Sequence, residues 1–405
     1  MNQLRSFFHD WSISATLAGF LAVLISYSGP LVIFFYAAKS ADVSPEILSS
    51  WVWAISIGAA LSGIYLSWRY RTPIVTAWSA PGTALLILLF PGLTINEAIG
   101  SYLVAALITL VIGISGSFDW LIKRIPKGIS AGMLAGILFQ FSLNAFKSVE
   151  HMPALSMLMI ACYVLAKKYA PRYLIILVFI TGLMTLLLDS GVNLSSIPFH
   201  ITYPTFISPA WSLEATLSFT LPLVLVSLTG QFLPGMTILK MAEYKISAKP
   251  IMVVTGIVSL VMAFFGGIST VIAAITAAIC TGKDAHPDHD KRYVAGIANG
   301  VFYLIGGIFS ASIVGLFTNL PTTFIAVLAG LALLSAISTN VLIAVEDQQH
   351  RESALLTFLV TSSGMTLFGI GAAFWGVVLG LTMHLVLTSN FQIYIKSITS
   401  KDRHD

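Results

Sequence analysis

The sequence predicts an all-α polytopic membrane protein. Of its 405 residues, 57% are hydrophobic and only 9% are charged, against roughly a quarter charged in an ordinary soluble domain. The mean hydropathy is +0.90, so the chain has too few charged side chains to cover a soluble globule. Its apolar residues form long continuous runs, such as 15–37 and 215–239. Such runs are typical of spanning helices, whereas strands of a β-barrel alternate in polarity.

Apolar length predicts fourteen transmembrane segments along the chain. Two of them, the third and the tenth, are short and interrupted. We expect the segments near 13–37, 51–68, 74–90, 96–115, 128–146, 153–167, 172–188, 215–239, 250–265, 268–281, 293–315, 320–339, 352–370 and 371–390.

The distribution of basic residues supports this count and orients the chain. With a cytoplasmic N-terminus and fourteen crossings, 19 of the 21 Lys and Arg residues fall on the cytoplasmic side, and only Lys39 and Lys147 fall outside. The positive-inside rule requires this asymmetry. We therefore expect a multi-pass protein of a bacterial inner membrane with both termini in the cytoplasm. No cleavable signal peptide is expected, because the first apolar run is long enough to span the membrane.

Other features argue against nucleic acid, metal and cofactor partners. The cations are scattered singly or in pairs between apolar runs, which favours membrane orientation over a polyanion partner. Cys162 and Cys280 both lie in apolar runs, so neither a disulfide nor a zinc site is expected. The acidic and histidine-containing loop 284–290 lacks the glycine and glutamate of an EF-hand. We expect no metal and no cofactor.

The two halves of the chain contain similar segments. Residues 125–138 (IPKGISAGMLAGIL) match 320–332 (LPTTFIAVLAGLA), and Ser26–Pro30 matches 227–231 (SLTGQ), at separations of about 195 to 201 residues. Seven helices per half is an odd number, so the second half enters the membrane from the opposite side. This inverted repeat is typical of secondary transporters. It divides the chain into a first repeat (1–190), an external linker (191–213) and a second repeat (214–395).

The third and tenth segments predict half-helices that begin within the membrane. Each has a short β-branched, extended stretch followed by small residues. Ser79 suits an N-cap position with Pro81 in the first turn, and Thr276 could cap the counterpart. A helix that starts at mid-membrane presents free N–H groups and partial positive charge there. Two such starts would form an anion-binding cavity enclosed by protein.

These segments resemble the BenE family of benzoate/proton symporters, within the 7+7 fold of uracil transporters and sulfate permeases. The resemblance covers essentially the whole chain, and the residues that carry it are 26–30, 76–82, 229–235 (TGQFLPG) and 266–282. It implies a core domain of helices 1–4 and 8–11 that moves against a gate domain of helices 5–7 and 12–14. It implies proton-driven import of an aromatic carboxylate by alternating access, with homodimerisation through the gate domain an open possibility.

The resemblance places the substrate between the third and tenth half-helix starts, beside helices 1 and 8. The nucleobase branch carries carboxylates in helices 8 and 10, where this chain has Gln231 and Ile275-Thr276. Asp10, Glu97, Asp189 and Glu214 lie at span edges, which favours an anionic substrate over a neutral base. An aromatic acid also needs an aromatic-lined pocket, for which Tyr27, Trp78 and Phe232 are candidates. The predicted substrate-binding residues are Tyr27, Ser28, Gly29, Trp78, Ser79, Ala80, Gly82, Thr229, Gln231, Ile275, Thr276 and Ala277.

Several alternatives remain open at this point. The same fold could carry a nucleobase-like ring or a small inorganic anion, since Gln231 can bind a carboxylate or an amide. An intramembrane enzyme would need a nucleophile and a base, and only Ser115, in a Gly-x-Ser-Gly element, and His384 offer such groups. Packing is the better interpretation of that element, so no enzyme is expected. The proton carrier could be His384, an edge carboxylate or, as we prefer, the carboxylate of the substrate itself.

Overall fold

The computed structural model describes residues 9–90, 92–188, 199–346, 348 and 351–388. Asp189, residues 191–198 of the expected linker and residues 389–395 of the second repeat lie outside this part of the chain. The first half contains α1 (Ile13–Ser28), α2 (Pro30–Ser40), α3 (Pro45–Tyr70), β1 (Thr76–Trp78), α4 (Ala80–Leu89), α5 (Ile95–Ser115), α6 (Phe118–Arg124), α7 (Lys127–Lys147), α8 (Pro153–Tyr169) and α9 (Leu174–Leu188).

The second half has a similar order of elements, with a short strand and a short helix between its long helices. It contains α10 (Leu213–Met241), α11 (Ala248–Ala263), β2 (Thr270–Ile272), α12 (Ile275–Thr281), α13 (Tyr293–Ile308), α14 (Ser310–Thr318), α15 (Thr322–Glu346), α16 (Arg351–Ser362), β3 (Thr366–Leu367), β4 (Ile370–Gly371) and α17 (Ala372–Thr388).

Helix length and polarity confirm a polytopic helical membrane protein. Among the described residues, five continuous or nearly continuous helical stretches are long and apolar enough to cross a bilayer. They are α1 with α2, then α3, α5, α10 and α15. The stretch from His289 through α14 passes the same test as a pair bent by 68°, and α4, α9, α11 and α17 are shorter apolar helices.

The surface of these helices is apolar where lipid would lie. Leu107, Val111 and Ile114 recur at helical spacing along α5 and are each more than half exposed. On α8, Val164 and Leu165 are exposed to a similar degree. A soluble protein rarely exposes contiguous apolar stripes of this kind. The bilayer is therefore the environment that these helix faces fit.

The first expected span is broken in the middle. α1 ends at Ser28, Gly29 has φ −117° and ψ −82°, and α2 begins at Pro30. Proline lacks a backbone N–H and cannot continue the hydrogen-bond ladder of the preceding turn. The prediction of one helix over 13–37 therefore holds for membrane crossing but not for helix continuity.

The prediction of a span over 352–370 is wrong at its C-terminal end. α16 ends at Ser362 after twelve residues, about 18 Å of helix against a hydrocarbon core of roughly 30 Å. Gly364 follows with φ +65°, a left-handed conformation that commonly ends helices. Residues 366–371 then form a two-stranded hairpin turning at Phe368 and Gly369.

Small residues bring the long helices close together. The main packed pairs are α3 with α13, α5 with α11 and α7 with α15, and α16 packs against both α7 and α17. At Gly132 of α7, an added Cβ would lie 2.4 Å from the carbonyl oxygen of Ala354 on α16. Such contacts are typical of membrane helix interfaces, where packing replaces hydrophobic driving force.

Two buried strands, one from each half of the chain, pair side by side and join the two halves. β1 and β2 are antiparallel, with Thr76 opposite Ile272 and Trp78 opposite Thr270. The Ser79 N–H donates to the Ser269 carbonyl at 3.0 Å, and the Ala273 N–H donates to the Val75 carbonyl at 2.9 Å. These two bonds extend the ladder beyond the strands in both directions.

Hydroxyl groups of the strands and of the neighbouring helices form hydrogen bonds beside the ladder. The Thr76 hydroxyl donates to the Ala59 carbonyl at 2.8 Å and lies 2.9 Å from the Ser62 hydroxyl on α3. The Ser259 hydroxyl on α11 accepts from the Thr270 N–H at 2.8 Å. Non-helical backbone is tolerated at membrane depth only when its polar groups are bonded internally. These hydroxyls meet part of that requirement.

A charged cluster fastens the N-terminal segment to the ends of α3 and α13. Asp10 is buried, and its Oδ2 accepts from Tyr293 Oη at 3.0 Å and from Arg71 Nη1 at 3.3 Å. Burial raises the pKa of the Asp10 carboxyl, but the hydrogen bonds from Tyr293 and His9 and the charges of Arg71 and Lys291 outweigh it. The pKa therefore lies below the usual 3.8.

This cluster predicts a pH-dependent contribution to stability. Because the folded-state pKa of Asp10 is lowered, its contribution is present above the unfolded-state value near 3.8 and is lost as pH falls through the folded-state value. We expect Asp10→Asn to lower the melting temperature at neutral pH, with the deficit shrinking below about pH 4. Thermal unfolding in detergent across this pH range measures it. The exposed Asp119 provides the control Asp119→Asn, and an equal deficit in both variants would contradict the role of the cluster.

Candidate functional site

The start of α4 is built as the sequence predicts. Ser79 is fully buried and caps the helix, because its Oγ accepts from the Gly82 N–H at 3.2 Å. The Ser227 hydroxyl on α10 donates to the same Oγ at 3.3 Å. Ala80 and Pro81 occupy the first turn. An added Cβ at Gly82 would lie 2.3 Å from Leu223 Cδ1, so α4 and α10 meet closely beside the cap.

The start of α12 differs from the prediction. The helix begins at Ile275, its N-cap residue is Ala274, and no side chain accepts from its first turn. Thr276 therefore does not cap this helix, because it lies inside the first turn and not before it. Thr276 and Ala277 are both buried. The two half-helix starts follow opposite ends of the strand ladder, because β1 and β2 are antiparallel and each strand leads into its own helix.

The expected site residues of helix 8 lie in a π-helical turn. α10 contains two such turns, Thr216–Thr220 and Leu228–Phe232, and the second includes Thr229 and Gln231. The Thr229 hydroxyl donates to the Leu225 carbonyl at 2.8 Å. Gln231 is half-buried, and within the described part of the chain its carboxamide makes no hydrogen bond. π-turns inside α-helices occur frequently at functional sites.

Three aromatic rings meet where α1, β1 and α13 converge. Tyr27 is stacked near Trp78 with ring centroids 6.3 Å apart, and Tyr303 lies edge-on to both, at 5.7 Å and 6.1 Å. The Tyr27 and Ser56 hydroxyls are hydrogen-bonded at 2.7 Å. Trp78 Nε1 is buried and has no acceptor among the described residues. We call Tyr27, Trp78 and Tyr303 the aromatic cluster.

The sequence analysis missed Tyr303. It lies in an apolar run where an aromatic residue is indistinguishable from ordinary core. Gly306, one turn later, leaves space for Tyr27, since an added Cβ there would lie 2.3 Å from Tyr27 Oη. This contact joins distant segments of the chain, so the local sequence carries no signal for it. Phe232, by contrast, is fully buried and packs against Phe118, away from the cluster.

The structure also gives the locations of three other predicted residues. The Ser28 hydroxyl donates to the Leu24 carbonyl of its own helix at 2.7 Å. Gly29 lies at the break between α1 and α2. His384 lies on α17, which packs mainly against α16 and α7.

Among the cavities lined by described residues, two lie at opposite ends of the helix bundle. The first, of about 330 Å3, is lined by the C-terminal half of α4, the start of α10 and the hairpin 364–371, and it contains Glu97 and Glu214. The second, of about 90 Å3, lies among α6, α7, α10 and α15 and contains Lys127 and Thr229. They are at opposite ends because Glu97 begins α5, whereas Lys127 follows its other end.

Ser115, the serine of the Gly-x-Ser-Gly element, lies at the end of α5. The Ser115 hydroxyl donates to the Ile112 carbonyl at 3.1 Å and lies 2.8 Å from the Ser117 hydroxyl. Both contacts are those of a helix end. In the described part of the chain, no three His, Cys, Asp or Glu side chains are grouped as metal ligands would be.

Comparison with known proteins decides the family. A model described as "Benzoate membrane transport protein", of the BenE family, matches residues 9–386. The chain belongs to the BenE family of membrane transport proteins. This confirms the resemblance seen in the sequence, and the family is not a class of enzymes.

Two curated relatives support the assignment. One, named "Benzoate membrane transport protein", from Acinetobacter baylyi, is 53% identical over 384 residues, which cover 95% of this chain and 98% of the relative. Another, "Inner membrane protein YdcO" from Escherichia coli (strain K12), is 42% identical over 92% of this chain and 95% of its own length.

Solved structures share the fold at low sequence identity. A structure of SLC26A9 superposes with a TM-score of 0.65 at 14% identity, covering 95% of this chain and 67% of that one. The transmembrane domain of the cyanobacterial bicarbonate transporter BicA gives 0.59 at 13% identity, covering 91% and 97%. These likenesses concern the fold alone.

Proposed function

We propose that this chain imports benzoate or a related aromatic carboxylate together with protons by alternating access. The observation that carries the proposal is the 53% identity to a benzoate membrane transport protein over nearly the full length of both chains. The interior chemistry agrees with it. An aromatic cluster, a half-buried carboxamide and a capped half-helix start suit a small apolar ring bearing a carboxylate.

The proposed architecture has fourteen spans in two inverted repeats, with both termini in the cytoplasm. The packing pairs support it. If each helix is replaced by its counterpart in the other repeat, the pair α3–α13 becomes α11–α5 and the pair α1–α12 becomes α10–α4. The pair α7–α15 maps onto itself. All of these pairs are in contact. Such a pattern is expected of a pseudo-two-fold axis in the membrane plane.

The proposed substrate site lies beside the strand ladder. Ser79 and Ala80 offer the α4 N-terminus to the carboxylate, and Trp78 Nε1 is a buried donor without an acceptor among the described residues. An unsatisfied buried N–H costs roughly 1–3 kcal/mol. A carboxylate that accepts from it would recover this energy on binding.

We propose that the carboxylate of the substrate carries the coupled proton. No aspartate or glutamate lies within the described residues of α1, α4, α12 or α13. His384 lies on α17, which packs mainly against α16 and α7. A substrate that enters with its own proton needs no intramembrane acid on the protein. The core and gate would then expose the site alternately to the two sides.

Uptake into proteoliposomes tests the proposal. We expect labelled benzoate to accumulate in vesicles whose exterior is the more acidic, and to leave when a protonophore collapses the gradient. Protein-free vesicles, measured at a pH well above the carboxyl pKa of about 4, control for passive entry of the acid. Competition by uracil or sulfate but not by benzoate would replace the substrate class. Accumulation unaffected by the pH gradient would refute proton coupling.

A further inference from the structure

The cavity among α6, α7, α10 and α15 is polar at one point and apolar elsewhere. Its apolar walls come from Leu134, Leu233 and Ile343, and its polar groups from Lys127, Thr229 and neighbouring side chains. On its volume of about 90 Å3, with one water needing roughly 10–15 Å3, it has room for a ligand of several heavy atoms. Apolar walls with few polar groups are the usual composition of a small-molecule site.

Lys127 is the one cationic side chain among the residues that line this cavity. Within the described part of the chain, its ammonium group makes no hydrogen bond and no ion pair. The hydroxyls of Thr229 and Ser130 donate to carbonyls of their own helices, at 2.8 Å and 3.1 Å. Asn340 also lines the cavity, and its amide donates to the Ala336 carbonyl at 2.8 Å. Lys127 is exposed, and it is the lining group that offers both donors and a positive charge to an anion.

The cavity lies between helices of the two proposed domains. Thr229 and Gly230 come from the π-turn of α10, in the core, whereas Lys127 and Leu134 come from α7, in the gate. At Gly230 an added Cβ would lie 3.0 Å from Leu134 Cδ2, so the two domains touch at this point.

We propose that this cavity is the exit subsite for the aromatic carboxylate, with Lys127 binding the carboxylate and the apolar walls binding the ring. The inference rests on the proposed function. It assigns Lys127 to specificity for the ionised acid at the end of the bundle opposite Glu97 and Glu214. An acid that crosses with its proton would be held there in its ionised form after that proton is lost to water.

The test compares an anion with a neutral analogue of the same shape. Benzoate and benzamide binding to the purified full-length protein are measured calorimetrically in wild type, Lys127→Gln and Lys127→Arg. We expect Lys127→Gln to weaken benzoate binding about tenfold and to leave benzamide binding unchanged, while Lys127→Arg stays within about threefold of wild type. Lys123, an exposed lysine of α6 that does not line the cavity, provides the matched control Lys123→Gln.

The outcomes separate the two proposals. Equal weakening by Lys127→Gln and Lys123→Gln would indicate a general surface potential and overturn the exit subsite. Unchanged benzoate binding in Lys127→Gln would also overturn it, and the transport function would stand. A wild-type protein that binds no benzoate would remove the proposed function and the exit subsite with it.

Discussion

Replacing Gly266 by alanine is expected to destabilise the protein strongly, through the region around the paired strands β1 and β2. Gly266 has φ +86°, and an added Cβ would lie 1.8 Å from Cδ1 of Trp51. Trp51 is fully buried and packs edge-on against Phe34, so it has no open space to enter. The left-handed backbone costs an alanine roughly 1–2 kcal/mol, and overpacking a core adds typically about 1–3 kcal/mol. The sum is a large part of the net stability of an ordinary protein.

The measurement is the fraction of monodisperse protein after detergent extraction, together with its melting temperature. Gly116 provides a matched control, because it has φ +69° but nothing within 4 Å of an added Cβ. Gly116→Ala should therefore show the backbone cost alone. If the two variants behaved alike, the contact between Gly266 and Trp51 would not be the cause of the loss.

Replacing Tyr303 by leucine is expected to weaken benzoate binding at least tenfold. The Tyr303 ring lies edge-on to both Tyr27 and Trp78, and such aromatic pairs contribute about 0.5–1.5 kcal/mol each beyond burial. Losing both contacts removes the packing that holds the Tyr27 and Trp78 rings, and a tenfold loss of affinity corresponds to about 1.4 kcal/mol. Tyr303→Phe keeps the ring and should stay near wild type.

Binding is measured by titration calorimetry, with the melting temperature recorded for each variant. Phe302 offers the control Phe302→Leu, because it lies on the same helix but packs edge-on against Phe20. We expect this control to lose stability without losing benzoate affinity. Equal losses of affinity in the two leucine variants would mean that Tyr303 acts only through the packing of α13.

Hydropathy predicted where the chain crosses the membrane better than how each crossing is built. Apolar length located α3, α5 and α15, because a run of such residues has a favourable environment only in lipid. It could not locate the break at Gly29 or the early end of α16 at Ser362. Both depend on local backbone geometry that a window of average polarity does not detect. Ser-Ser-Gly at 362–364 was the local signal for the second of these ends.

The sequence predicted the serine cap at the start of α4, but it did not predict the whole aromatic cluster. Ser79 caps α4 because a serine before Ala-Pro-Gly has few other ways to satisfy a helix start. Thr276 was misplaced because the two repeats were assumed to use the same cap, whereas the structure begins α12 one residue after Ala274. Tyr303 was missed because its role arises from contacts with Tyr27 and Trp78, and contact between distant segments is not encoded in local spacing.

The ladder between residues 75–79 and 269–273 has a mechanical consequence. Its hydrogen bonds run between opposite halves of the sequence and are buried, so sliding one half-helix start past the other would expose several backbone groups at once. Moving the two half-helix starts past each other therefore costs much free energy, and thermal motion will rarely achieve it. If the proposed alternating access operates, the moving boundary would therefore lie elsewhere, and the contact of α10 with α7 between the proposed core and gate is the place we expect for it. A substrate bound beside the ladder would then move together with both half-helix starts.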